Sequence, residues 1–299
     1  MRFVSVAVAL LAAPLLPGLI NKTKSAFAGR KGPPVLQLYF DLAKLLKKGA
    51  VYSPVTTWIF RAGPVVSLAS YLIASLFVPF GGDSFLSFSG DVIAFAYLLG
   101  LARFFTVLAA LDTGSSFEGM GASREVTFSI LAEPTIFILF IVLARISGSL
   151  SLSHMVTPEQ VLMNPSTVGL LLLIVFSLFV VCLAENSRIP VDDPATHLEL
   201  TMIHEVMVLD HSGPDLAFIL YGASLKLFLM VSLLAHLLFP IRAANSAQGW
   251  LLFGILVAIV TISIGIVESA MARLRMVRIP RLLIAACMIA IFAMIIGLR

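Results

Sequence analysis

Charge is scarce in this sequence of 299 residues, of which 12% are Asp, Glu, Lys or Arg and 60% are hydrophobic. So few charges exclude an ordinary soluble globular domain of this length, as does the mean hydropathy of +1.05. Repeated apolar runs of about 18 or more residues are instead typical of transmembrane helices. The sequence therefore predicts an all-α integral membrane protein.

Cysteine is scarcer still, with Cys182 and Cys287 each inside an apolar run. An iron–sulfur cluster usually takes more Cys ligands than this chain has, so we expect none in this chain alone. A disulfide framework is not implied either. No internal repeat is visible, which argues against a secondary transporter built from inverted repeats.

The apolar stretches predict about eight transmembrane helices in one polytopic domain over residues 1–299. The predicted spans are residues 3–20, 63–80, 90–111, 126–144, 166–184, 216–239, 249–267 and 280–298. A cleaved signal peptide is the alternative for the first span, but its apolar run continues past Pro14 and Pro17. At residues 35–48, leucines at helical spacing lie opposite charged residues, which predicts an amphipathic interfacial helix.

Basic residues are distributed unevenly between the predicted loops. Most Lys and Arg residues outside the spans fall in the loops at 21–62, 112–125, 185–215 and 268–279. Because positive loops stay on the cytoplasmic side, we expect these loops in the cytoplasm and both termini outside. The net charge of +4 is therefore read as a topology signal, and no nucleic-acid partner is expected.

The most polar stretch is the loop at residues 185–215, hereafter the acidic loop. Its charged residues and first two histidines are Glu185, Arg188, Asp192, Asp193, His197, Glu199, His204, Glu205, Asp210 and Asp215. A solvated connector is one interpretation of this polarity. However, the run LELTMIHE at 198–205 is too apolar for an open loop, so we expect the loop to fold back against the helices.

The acidic loop also carries a family resemblance. The sequence RIPVDDP at 188–194, followed by Glu199 and Leu200, resembles the signature of subunit 1 of respiratory complex I, the NuoH family. The run HLELTMIHE at 197–205 is more similar to the equivalent membrane subunit of formate hydrogenlyase and hydrogenase-4 type energy-converting nickel–iron hydrogenases. The complex I pattern has additional acids where residues 195–197 stand, which favours the hydrogenase branch.

The resemblance implies a non-catalytic subunit that couples redox chemistry to ion translocation in a bacterial or archaeal cell membrane. It would join hydrophilic hydrogenase-like and iron–sulfur subunits to antiporter-like membrane subunits. The chain itself would hold no cofactor, with iron–sulfur clusters and a nickel–iron centre on partner subunits. One alternative is the quinone-site subunit of NADH:quinone oxidoreductase, and another is an independent secondary transporter.

Acidic residues near the span ends suggest how such a subunit could conduct protons. Glu133 is the eighth residue of its predicted span, roughly 10 Å from the helix start at about 1.5 Å per residue. A carboxylate inside a membrane is costly, so it is a functional hypothesis by default; a structural ion pair is the alternative. Burial and neighbouring acids would raise its pKa. The predicted proton relay comprises Glu133, Glu185, Glu199, Glu205, Lys226 and Glu268.

Other residues are assigned to loop structure and to partner contacts. We expect Arg188 and Asp192 to hold the acidic loop in shape, and residues 112–125 to form a glycine-rich loop with Ser123 capping the next helix. The residues assigned to loop structure and coupling are Asp112, Arg124, Arg188, Asp192, His197 and His204. The predicted contacts with a soluble iron–sulfur partner are Gly29, Arg30, Lys31 and Asp193. A zinc-protease site is rejected, because Val208 stands where its second histidine is needed.

Overall fold

The structure is a computed structural model that describes residues 2–156, 165–193, 202–239 and 247–297, and within these residues it is all-α. In chain order the helices are α1 (Arg2–Ala12), α2 (Leu15–Phe27), α3 (Gln37–Leu46), α4 (Trp58–Ala74), α5 (Asp91–Asp112), α6 (Ser116–Ser147), α7 (Leu152–Met155), α8 (Pro165–Glu185), α9 (Gly213–Leu238), α10 (Ala247–Ala270) and α11 (Ile279–Gly297). Short 3-10 helices span Glu205–Val208 and Met276–Arg278. The predicted all-α membrane fold is confirmed.

Length and hydropathy identify the membrane spans. Within the described residues, six helices are long and apolar enough to cross a membrane: α5, α6, α8, α9, α10 and α11. The bent pair α1–α2 makes seven if it is one span, and α4 is a shorter apolar helix of 17 residues. The exact count of eight therefore stays a prediction.

The first span is broken. Helices α1 and α2 meet at an angle of 40° around residues 13 and 14. Helix α2 then continues to Phe27, so residues 21–27 are helical where a loop had been predicted. It ends in a Schellman motif, in which the amide groups of Gly29 and Arg30 donate to the carbonyls of Ala26 and Ser25. Gly29 takes the left-handed conformation (φ +64°) that this motif requires.

Helix α4 begins earlier and ends earlier than the predicted span at 63–80. Thr57 is its N-cap and accepts from the amide of Ile59 at 3.3 Å. Asp112, at the end of α5, accepts from the amides of Thr57 and Phe60 at 2.7 and 3.2 Å. A carboxylate at a helix N-terminus satisfies otherwise unpaired N–H groups, so Asp112 fastens the start of α4 to the end of α5.

The predicted glycine-rich loop at 112–125 is mostly helix, and the expectation of a Ser123 cap is wrong. Helix α6 begins at Ser116, with Ser115 at its N-cap, and continues through Pro134 to Ser147. Gly121 is the position in this segment where the acidic loop comes closest to the helix backbone. A Cβ built there would lie 2.2 Å from Cγ1 of Val206 and 2.9 Å from the carbonyl oxygen of Ile203. The glycine thus allows the acidic loop to pack directly on α6.

The packing places polar groups inside a ring of helices. Helix α4 packs on α5, α5 on α6, α6 on α8, α8 on α9, and α9 closes the ring against α4. Helix α9 is buried along most of its length. Outside the ring, α10 packs on α2 and α9, whereas α11 packs on α6 and α8. Polar side chains that point into this ring are shielded from lipid.

The acidic loop folds back against the bundle, as its apolar residues predict. The side chains of Met202, Ile203, Val206 and Met207 are buried. The 3-10 helix Glu205–Val208 packs on the first turns of α6. Because these apolar side chains are buried, the polar residues of the loop lie at one end of α6 and α8. The sequence predicts that this end faces the cytoplasm.

Candidate functional site

Arg103 is the centre of the site. It lies on α5, is 9% exposed, and contacts a carboxylate on each of three sides. Its Nε is 3.2 Å from Glu125, and its two terminal nitrogens donate to Glu133 and Glu185. Glu125 and Glu133 come from α6 and Glu185 from the last residue of α8. One guanidinium therefore joins three membrane helices.

Lys226 on α9 extends the site from the opposite side. Its Nζ lies 2.8 Å from the Glu185 carboxylate and donates to the Glu185 carbonyl at 2.6 Å. Its side chain is 10% exposed. Glu185 therefore lies between two cations, Arg103 and Lys226.

The acidic loop contributes a further cation, His204. Its Nε2 lies 3.0 Å from Glu125, and its Nδ1 lies 3.5 Å from Asp192. Burial alone would lower the pKa of His204, but the charges of Glu125 and Asp192 outweigh burial and raise this pKa to about 9. His204 is therefore an imidazolium at neutral pH and pins the loop to α6.

Asp192 is the carboxylate of the acidic loop that contacts His204. It accepts from the amides of Ile203 and His204 at 3.2 and 3.3 Å, and lies 2.8 Å from Arg273. Burial would raise the pKa of Asp192, but the hydrogen bond and charge of His204, together with Arg273, lower it. Asp192 therefore stays ionised and ties the loop to the segment after α10.

The charges of the site balance. The carboxylates of Glu125, Glu133 and Glu185 face the cations Arg103, Lys226 and protonated His204. We call this set the Arg103 cluster. Uncompensated charge is very costly in a buried site, so balance allows all of these groups to be ionised together.

Two cavities flank the Arg103 cluster, and Glu185 lines both. The first, of about 280 Å³, lies between the cluster and the acidic loop. Its polar lining is Ser67, Tyr71, Thr106, Glu185, Asn186, Ser187, Arg188, Asp192, His204, Glu205, Ser224 and Lys226. The second, of about 310 Å³, lies between α5 and α6 and is lined by Arg103, Glu133 and Glu185 among apolar residues. The cluster thus lies between a cavity beside the acidic loop and a lateral cavity between α5 and α6.

The comparisons with known proteins concern the family and the fold of the chain. A family model described as NADH dehydrogenase matches residues 1–298. The chain belongs to this family. The sequence resemblance to the complex I subunit 1 family is thereby confirmed.

Two proteins of Escherichia coli (strain K12) are similar to this chain. Hydrogenase-4 component C is 33% identical over 271 residues, which cover 88% of this chain and 84% of that protein. Formate hydrogenlyase subunit 4 is 31% identical over 277 residues, covering 90% and 89%. A chain of the membrane-bound sulfane sulfur reductase, an archaeal respiratory membrane complex, superposes with a TM-score of 0.82 at 18% identity, covering 99% of this chain and 98% of that one. This last likeness concerns the fold.

Glu133, predicted as a relay residue with a structural ion pair as the alternative, is in an ion pair with Arg103. Its side chain is 45% exposed and lines the lateral cavity, while Glu205 lines the other cavity. Glu199 lies outside the described residues, as does His197. Among the predicted relay carboxylates, the structure therefore brings Glu133 and Glu185 together on Arg103.

Glu268 belongs to a different cluster from Glu133, Glu185 and Lys226. Its buried carboxylate lies 2.9 Å from Lys24 of α2 and 3.4 Å from Arg188 of the acidic loop. We call these residues the Glu268 clasp. Arg188 and Asp192, which were assigned to loop structure, have different side-chain partners: Glu268 for Arg188, and Arg273 and His204 for Asp192.

The remaining predicted residues are at the loop surfaces. Arg124 donates to the carbonyl of Met202 at 2.9 Å, which fastens the acidic loop to α6. The predicted partner contacts Gly29, Arg30 and Lys31 are exposed after α2, and Asp193 is partly exposed.

Sequence reasoning missed Arg103, Glu125, Arg273 and Lys24 as members of these clusters. Arg103 gave a usable signal, because it stands alone in an apolar helix and a charge inside a membrane implies a partner. Glu125 gave none, since its segment was interpreted as a loop. Among the described residues, no group of three His, Cys, Asp or Glu side chains is arranged to hold a metal ion.

Proposed function

We propose that this chain is the membrane-embedded coupling subunit of a redox-driven, ion-translocating respiratory complex, and that it conducts protons through buried carboxylates. The observation that carries the proposal is the Arg103 cluster, a charge-balanced set of ionisable groups between two cavities. Membership of the NADH dehydrogenase family and similarity to hydrogenase-4 and formate hydrogenlyase subunits support the same function. The energy-converting hydrogenase branch is the form we favour.

The arrangement of Arg103 suggests how a proton passes the cluster. A proton that binds a carboxylate oxygen of Glu185 neutralises it, and Arg103 then keeps Glu125 and Glu133 as partners. Lys226 remains hydrogen-bonded to the Glu185 carbonyl. Because Glu185 borders both cavities, it can receive the proton from one side and release it toward Glu133 on the other. Carboxylates strung within reach of water are the usual groups of a membrane proton relay.

Glu133 marks the exit of this path and a partner surface. It is nearly half exposed on the lateral face between α5 and α6, beside the exposed side chains of Tyr97 and Phe104. A half-exposed carboxylate facing lipid hydrocarbon is costly. We infer that an antiporter-like membrane subunit covers this face and continues the path.

The acidic loop and the turn after α2 form the opposite partner surface. The exposed Gly29, Arg30 and Lys31, with Asp193, would contact hydrophilic hydrogenase-like and iron–sulfur subunits, which carry the iron–sulfur clusters and the nickel–iron centre. Both surfaces belong to a subunit of a bacterial or archaeal cell membrane with the acidic loop in the cytoplasm and the termini outside. The His204–Glu125 contact would transmit a movement of the loop to the Arg103 cluster.

A second candidate function is the quinone-site subunit of an NADH:quinone oxidoreductase. The cavity of about 280 Å³ favours it, since Tyr71, Arg188 and His204 there accompany apolar residues such as Leu38 and Leu227. Ligand cavities commonly combine apolar walls with a few polar groups. A photoreactive quinone that labels Leu38 or Leu227 in the intact complex would support this candidate over the first.

The experiment that tests proton conduction is Glu133→Gln in the intact complex, reconstituted into sealed vesicles. Glutamine keeps the shape of the side chain but cannot ionise. We expect normal assembly and electron transfer to artificial acceptors, with loss of vesicle acidification. An assembled variant that acidifies vesicles as well as the wild type would exclude Glu133 from the relay. Weak assembly with normal coupling would assign it to a structural ion pair.

A further inference from the structure

The break in the first span leaves backbone groups that the helix itself cannot satisfy. Pro14 has no N–H, so the carbonyl of Leu10, four residues earlier, lacks its helical donor. After the break, the next backbone hydrogen bond runs from the amide of Leu16 to the carbonyl of Ala13, at 3.3 Å. Inside a membrane, carbonyls freed in this way require other donors.

Two tyrosine hydroxyls supply these donors. Tyr221 donates to the carbonyl of Leu10 at 3.1 Å, and Tyr39 donates to the carbonyl of the next residue, Leu11. The two tyrosines come from different helices, α9 and α3, which pack on each other. Two consecutive carbonyls at the break are therefore each held by a side chain from another part of the chain.

The two donors differ in how firmly they are placed. Tyr221 stands on α9, which is buried along most of its length, although the Tyr221 side chain itself is partly exposed. Tyr39 stands on the interfacial helix α3, where every side chain keeps at least partial exposure. Helix α3 begins at Gln37, after the turn at Gly29–Lys31 and a short connection. Tyr39 is thus the donor that a displacement of α3 would remove.

We propose that the first span is a hinge whose break is held by Tyr221 as a fixed donor and Tyr39 as a movable one. Displacement of α3 withdraws the Tyr39 hydroxyl from Leu11 and lets α1 change its angle to α2. The bend shapes an apolar cavity of about 350 Å³ lined by both helices together with α9 and α10. The hinge does not depend on proton conduction, and its test does not require it.

A double-mutant cycle tests the role of Tyr221. Pro14→Ala restores an N–H four residues after Leu10, so the carbonyl no longer needs the tyrosine. In the purified intact complex, we expect Tyr221→Phe to lower the unfolding temperature of this subunit by a few degrees. The same change should have little effect in the Pro14→Ala background. Equal losses in both backgrounds would overturn the assignment.

The hinge itself is tested by the distance between spin labels on Val8→Cys of α1 and Phe27→Cys of α2, which are 46% and 64% exposed. The native Cys182 and Cys287 are replaced by alanine in the labelled chain. We expect Tyr39→Phe to broaden the distance distribution, and Pro14→Ala to lengthen the mean distance by straightening the span. An unchanged distribution in both Tyr39→Phe and Tyr39→Phe/Tyr221→Phe would show that the bend is fixed without the tyrosines and would refute the proposal.

Discussion

Two buried carboxylates at helix ends make an instructive pair. Glu185 ends α8 and lies between Arg103 and Lys226, whereas Glu268, near the end of α10, lies between Lys24 and Arg188. Both are buried and both have two cations. The difference is in their surroundings: Glu185 shares Arg103 with other carboxylates and lines two cavities, while Glu268 lines neither of those two. Shared cations and adjacent cavities therefore separate a relay candidate from a structural contact better than burial does.

The largest effect should come from removing the shared cation. Arg103→Leu leaves Glu125, Glu133 and Glu185 without their common partner, and loss of one partner of a buried pair costs about 3–5 kcal/mol. We expect little assembled complex in membranes, measured by native gel electrophoresis. Arg103→Lys, which keeps the charge but contacts fewer carboxylates, should assemble in part. If Arg103→Leu gave as much assembled complex as the wild type, the Arg103 cluster would not need Arg103 for its stability.

The next effect concerns His204. Its imidazolium is one of the cations of the Arg103 cluster, whereas the described contacts of the Glu268 clasp include no histidine. The folded-state pKa of about 9 lies above the ordinary value of 6.5, so the stabilisation is complete below about pH 6.5 and is lost as pH rises through 9. It amounts to roughly 3 kcal/mol at most, at about 1.4 kcal/mol per pKa unit. Thermal unfolding of the complex between pH 6 and 10 measures it.

His204→Gln is the control for this pH dependence. The variant should be less stable than the wild type at pH 7 and should lose most of the decline between pH 8 and 10. A variant with the wild-type decline would place the titrating group elsewhere.

The comparison of the two carboxylates is tested directly by matched variants. Glu185→Gln removes the carboxylate between Arg103 and Lys226, so it should lower stability, and the complex that assembles should lose vesicle acidification while electron transfer continues. Glu268→Gln should lower stability by about 1.5–3 kcal/mol, the usual worth of hydrogen bonds to charged groups, and leave the surviving complex coupled. Measuring acidification per electron transferred in both variants decides the matter. If Glu268→Gln lost coupling and Glu185→Gln kept it, Glu268 would be the relay residue and Glu185 the structural one.

The smallest effect tests how the acidic loop reaches the cluster. Gly121→Ala places a methyl group against Val206 and the backbone of Ile203, and overpacking of this kind costs about 1–3 kcal/mol. Gly119→Ala, on the same helix with open space at its Cβ, is the control and should be neutral or slightly stabilising. Unfolding temperatures of the two variants measure the difference. Equal values would mean that the loop does not pack tightly on α6.

Much of the fold could be predicted from the sequence because apolar runs of membrane length have few alternative structures. The residues at which the helices begin and end were harder to predict from the sequence. Residues 116–125 are polar and rich in glycine, which is typical of a loop, yet they are helical, and Gly121 faces the acidic loop. That contact joins residues far apart in the sequence, so local composition could not predict it.

The site could be predicted only in part. Glu133 and Lys226 stood out because each is a charge inside an apolar helix. Their partners could not be assigned, since Arg103 lies 30 positions from Glu133 and Glu185 lies 41 positions from Lys226. Glu268 was grouped with the relay because it also ends a span. Which carboxylates meet depends on the order in which the helices close the ring, and no sequence pattern specified that order.

These separations along the chain have a consequence for biosynthesis. A charged residue at the centre of a membrane helix costs about 2.5–3.5 kcal/mol when the helix enters the bilayer alone. Arg103 in α5 is followed 30 residues later by Glu133, but Glu185 emerges 82 residues later and Lys226 only with α9. We therefore expect α5 and α6 to leave the translocon as a pair, and to remain beside it until α8 and α9 have been synthesised and the ring can close.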